Sequence, residues 1–261
     1  MAKGFVELNP EEHGDLRVVA NCVIGQAATQ HMIALKFNEV APAQTEFPVF
    51  LTRPEKEQNE EQTQWSLSAI TSLEAKQNLF VTDHKWDAIY VPSAMRTYPM
   101  FVIQASGDKK GFTVGINPTS SAFSKTEGEA LFDEQGKATE YLSHVTAQLE
   151  ADIKNEVTSY KFIKRLSELD LIREVTLLVT FADQTSHTLR GLHSVDEKVL
   201  HELPDQTILA LKEEGFLVPI YALLLSLYQV NALIKRHNLR EASKKVVDIK
   251  VQFMRDKDAE R

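Results

Sequence analysis

The chain has one cysteine, Cys22, among 261 residues. An intrachain disulfide is excluded, and so is any zinc or iron–sulfur site built from several thiolates. Cys22 sits in the apolar stretch Asn21-Cys22-Val23-Ile24, where a thiol behaves as a small buried residue. Glycine (10) and proline (9) are scarce, and 43% of residues are hydrophobic, which excludes collagen-like, low-complexity and wholly disordered chains. There is no Walker loop, no G-x-G-x-x-G and no G-x-S-x-G, so nucleotide cradling and the common hydrolase elbow lose their entry points. His-Glu-x-x-His is missing too, because His201-Glu202 runs into Leu203-Pro204-Asp205. No motif asks for a cofactor or a metal. The N-terminus has no apolar run of the kind a secretory signal needs. This predicts a cytoplasmic chain, peripheral to the inner membrane at most.

What is present is an acidic body with a basic end. The chain carries a formal net charge of −8. Residues 235–261 hold nine Lys/Arg against five Asp/Glu, which leaves 20 against 32 in the first 234 residues. An acidic body repels phosphate, so no nucleic-acid partner is expected. The longest apolar run is 216–234, interrupted by Pro219, Ser226, Gln229 and Asn231. That pattern predicts a buried core helix and no integral membrane span.

The first half reads as short strands and loops: 47–52, 64–73, 78–82, and a hairpin from 100–105 and 111–116. A polar loop is expected over 53–63. Residues 26–40 fit either a strand leading to a helix or a single helix. In the second half, Leu142, Val145, Leu149, Ile153, Val157, Tyr160, Ile163, Leu166 and Leu169 recur at steps of three and four. This predicts one helix over 139–171, unless it breaks near Asn155. A second hairpin (174–181 with 185–192), helices near 197–202 and 204–214, and a short late strand at 247–253 follow. The fold class is α+β.

Three constellations carry chemistry. Trp86, Tyr90, Arg96 and Tyr98 fall within sixteen residues, together with Pro92, Pro99 and Phe101. Rings with a cation form a recognition surface, or else an irregular core element whose hydroxyls and guanidinium satisfy carbonyls. Glu127 and Glu129, with Asp133, match acid–base or hard-cation chemistry, and equally a turn whose carboxylates accept backbone N–H groups. His187 and His193, six apart on one strand, are expected on one face but too far apart to share a metal.

Several segments appear in a characteristic order: Leu8-Asn9-Pro10-Glu11-Glu12-His13, Gln30-His31 leading to Glu39, and Phe47-Pro48-Val49-Phe50. Trp86-Asp87, Tyr90-Val91-Pro92, Arg96 and Tyr98-Pro99 follow, then Thr126-Glu-Gly-Glu-Ala-Leu-Phe132 and Leu192 to Asp196. This order resembles the SapC-like family of bacterial proteins over residues 5–238. The expected organisation is a single SapC-like domain over 1–238 with two lobes, a β-rich one over about 1–135 and a helix–hairpin–helix one over 136–238, followed by a charged extension over 239–261. The family's name links it to surface-layer secretion or assembly. Its members also occur beside flavin-dependent tryptophan halogenase-like and cupin-like proteins. It carries no established catalytic residues to transfer.

The expectation is therefore a non-enzymatic accessory or binding protein. It would hold a small molecule, a peptide or a partner enzyme, such as a halogenase-like or cupin-like one, through Trp86, Tyr90, Arg96 and Tyr98. His31, Glu127 and Glu129 are further candidate contacts, and self-association is open. The alternatives are a surface-layer export or assembly component at the envelope, or an enzyme of unrecognised type using a carboxylate or histidine pocket.

Overall fold

In the computed structural model, residues 4–53, 65–105, 111–240 and 244–254 are described. The predicted 53–63 loop, apart from Arg53, and the turn of the first hairpin at 106–110 lie outside them. The fold is α+β. Six antiparallel strands form the main sheet, in the order Val246–Met254, Ile172–Phe181, Ser186–Val195, Val49–Thr52, Ser66–Ile70 and Met32–Leu35. Strands from both halves of the sequence thus share one sheet, and the late strand adds its free edge. A three-stranded sheet of Val6–Glu7, Phe112–Ile116 and Met100–Gln104 stands apart, and the first hairpin lies within it.

The long helix, Glu140–Glu168, is unbroken and about 43 Å long. Thr139 caps it by accepting the Leu142 N–H at 3.3 Å. Its first half (Leu142, Val145, Leu149) packs on the three-stranded sheet, and its second half (Phe162, Ile163, Leu166) packs into the main core. The apolar stripe read from the sequence holds only in part, because Val157 and Tyr160 face solvent while Asp152 and Ser159 are buried. Those two polar side chains meet hydrogen-bonding groups on facing segments. The Ser159 hydroxyl accepts the Phe37 N–H at 2.8 Å, and Asp152 accepts from Ser93.

Residues 20–43 form a helix (Ala20–Ala27), a strand (Met32–Leu35), a 3₁₀ turn (Phe37–Glu39) and a short helix (Val40–Ala43). The expected 78–82 strand shortens to Val81–Thr82, because Asn78 is used differently. Its side chain donates to the Ala27 carbonyl at 3.0 Å and accepts the Phe80 N–H at 2.9 Å, which turns the chain.

The apolar run becomes two helices, Leu217–Ser226 and Gln229–Leu239, bent by 40° at their junction. No single helix among the described residues is long and apolar enough to cross a membrane. Ser226, one of the residues that interrupts the run, is fully buried. It accepts the Val49 N–H at 3.0 Å, completing a backbone bond at the start of a central strand.

Candidate functional site

The aromatic segment is held by carboxylates. Glu46 accepts the N–H groups of Ile89 (3.0 Å) and Tyr90 (2.6 Å). The buried Glu39 carboxylate accepts three donors: the Tyr90 hydroxyl and the Ser93 N–H, both at 2.7 Å, and the Lys36 N–H at 2.8 Å. The Ser93 hydroxyl donates to Asp152, whose other oxygen accepts from Gln148 at 3.1 Å. Charge-assisted bonds of this kind are the strong ones, and here they fix the loop between Trp86 and Ser93. Burial, and then the bond to Glu39, push the Tyr90 phenol above the usual tyrosine range, so it remains a donor.

The rings have different partners. The Trp86 indole donates to the Tyr90 carbonyl at 3.0 Å and packs beside Phe47 and Phe80 of the main core. Tyr98 meets the three-stranded sheet, with its hydroxyl 3.2 Å from that of Ser120 and its ring edge against Phe101. Arg96 is exposed on the short helix Ser93–Thr97. Glu127 and Glu129 are exposed beside the strand Arg17–Val18. Between them Gly128 has φ 101°, and a Cβ there would fall 2.2 Å from the Val18 carbonyl oxygen, so the turn requires glycine. Asp133 accepts two backbone N–H groups, from Gln135 and Lys137. Among the described residues no group of three His, Cys, Asp or Glu side chains is placed to hold a metal ion.

His31 has a different setting. It lines a cleft of about 170 Å³ with His187, Arg190 and Glu74, over an apolar floor that includes Ile70, Leu73 and Leu189. The backbone of His31 is fixed because its carbonyl accepts the Thr71 N–H at 2.9 Å. The hairpin reaches the cleft through a bulge. Leu177 pairs with Leu189, but Val175 pairs with Leu192, so one strand gains a residue near Gly191 (φ 74°).

That extra residue corrects one expectation. His187 pairs with Val179 and His193 with Glu174, which puts the two histidines on opposite faces. His193 is buried edge-on against Trp65, with ring centroids 4.6 Å apart. His187 is left at the cleft with Arg190.

The cleft therefore sets a guanidinium and two imidazoles against one carboxylate, beside apolar surface. Such a lining favours an anionic group, and Glu74 offers a place for a cationic one. Arg190 and Glu74 were not legible as site residues, because no local spacing links positions more than a hundred residues apart. His31 was already a candidate contact, and His187 was noted only as one of a pair on a strand.

No curated protein and no solved structure matches the chain. A family model described as SapC matches residues 8–233, and by that match the chain belongs to the SapC family.

Proposed function

We propose that this SapC-family chain is a non-enzymatic binding protein whose ligand is a small zwitterion: an amino acid, or the free end of a peptide. The observation that carries the reading is the cleft of His31, His187, Arg190 and Glu74 over apolar floor residues. Arg190 and the imidazoles would take the carboxylate, Glu74 the ammonium, and the floor an apolar side chain. At about 170 Å³ the space is smaller than an ordinary ligand pocket, which fits a single residue and not a cofactor. An accessory role beside a partner enzyme draws its support from the family resemblance. Delivering or sensing a small substrate for that enzyme is compatible with this cleft.

The test is calorimetric titration of the full chain with amino acids and short peptides, each as free acid and as amide. An apolar free acid should bind, and amidation or Arg190→Ala should weaken it at least about tenfold, the scale of one charge-assisted contact. Trp86→Ala and Arg96→Ala serve as the comparison. If they abolish binding while Arg190→Ala does not, the ligand sits on the aromatic segment instead.

A further inference from the structure

The helix Leu217–Ser226 buries one side in the main core and leaves the other bare. Val218, Tyr221 and Leu225 are 65%, 47% and 54% exposed on one face of it, and Tyr228, 74% exposed, follows at the junction with the next helix. Ile89, 95% exposed, sits on a loop tied to the same end. Glu46 holds its N–H, the neighbouring Thr45 carbonyl accepts from Gln229, and Arg236 binds Asp87. We propose that this face is where a second copy of the chain docks, through an antiparallel, two-fold pairing of the helix with itself.

Two observations select that occupant. The first is area. The five side chains present on the order of 500–600 Å² of apolar surface, the upper end of what a monomer leaves open. With a polar rim this approaches the roughly 800 Å² per partner of a standard interface. The second is charge. Residues 216–234 contain no ionisable group other than tyrosine, so stacking two copies buries no charge. The preceding helix, Asp205–Glu213, ends in exposed Glu213, and exposed Lys235 lies on the following helix, Gln229–Leu239. An antiparallel two-fold pairing brings the acidic flank of one copy, with Glu213, toward the basic flank of the other, with Lys235. An anionic bilayer would instead select clustered Lys and Arg around the stripe, and these flanks carry both signs.

Sedimentation of the full chain from about 1 to 100 µM tests this. The wild type should dimerise, and Leu225→Glu should raise the dissociation constant by about a hundredfold, because it buries two unpaired carboxylates. Glu213→Lys should weaken the dimer about tenfold, and adding Lys235→Glu to the same chain should restore it. Leu225 and Tyr228 are exposed, so Leu225→Glu or Tyr228→Glu should keep the wild-type circular dichroism, and only the wild type should show a Tm that rises with concentration. A monomer at 100 µM would overturn the proposal. So would a dimer indifferent to Leu225→Glu, or flotation of a monomer with phosphatidylglycerol vesicles that is lost in Leu225→Glu.

Discussion

Glu39 serves three donors at once, and that explains why a carboxylate sits in the core. Its environment supplies what burial removes: one hydroxyl and two backbone N–H groups, each within 2.8 Å. Replacing it with alanine strands all three donors and should destabilise the fold by roughly 3 kcal/mol or more. For a chain of this size that lowers Tm by about 6–12 °C, readable by calorimetry. Tyr90→Phe removes one donor and should cost about 1–3 kcal/mol. The raised Tyr90 pKa gives the sign at high pH. The bond contributes fully below the unfolded tyrosine value of about 10 and is lost as pH rises through the higher folded value. Ultraviolet difference titration of wild type against Tyr90→Phe should therefore show no Tyr90 ionisation near pH 10 while the protein is folded. Asp183 runs the other way. Its bond to Lys244, and then those to Thr185, hold its carboxyl at about 2. Its contribution is present above about 4, the unfolded value, and lost as pH falls toward 2. Hydrogen-exchange protection at the start of the terminal strand, relative to the intrinsic rate at each pH, should fall in that window in wild type, and already at neutral pH in Asp183→Asn.

At the scale of elements, the sequence pattern was most readable where one periodic face meets one core. The second half of the long helix, with Phe162, Ile163 and Leu166 in the main core, follows that rule. It was least readable where a polar side chain serves a distant backbone. Asp152 and Ser159 interrupt the apolar stripe of the long helix because Ser93 and Phe37 need acceptors there. Ser226 interrupts the apolar run for the same kind of reason, and Asn78 cuts a strand short. Ser226→Ala should thus cost about 1–3 kcal/mol, the penalty of a buried Val49 N–H without a partner, although the substitution favours a helix locally. Equilibrium urea unfolding measures it, and a neutral result would mean that Val49 finds another acceptor. The bulge near Gly191 is the same lesson at the site. Period-two alternation placed His187 with His193, and one added residue parted them.

Across the whole molecule, the main sheet takes strands from 32–70, 172–195 and 246–254, and the cleft forms where the first of these meets the bent hairpin. His31 was legible as a candidate; its partners were not, since only the fold brings residues 74 and 187–190 to it. The aromatic segment was conspicuous in sequence because packing and hydrogen bonding concentrate there. Its Trp86 and Tyr90 are engaged with the core and with Glu39. In the proposed function, binding runs through Arg190 and its neighbours. The most direct measurement is titration of an apolar amino acid or free-acid dipeptide into wild type, Arg190→Ala and Glu74→Gln. Saturable binding in the wild type, weakened about tenfold by either change, is the predicted result. Equal affinity in all three proteins, or none in any across the amino-acid and peptide panel, would contradict it.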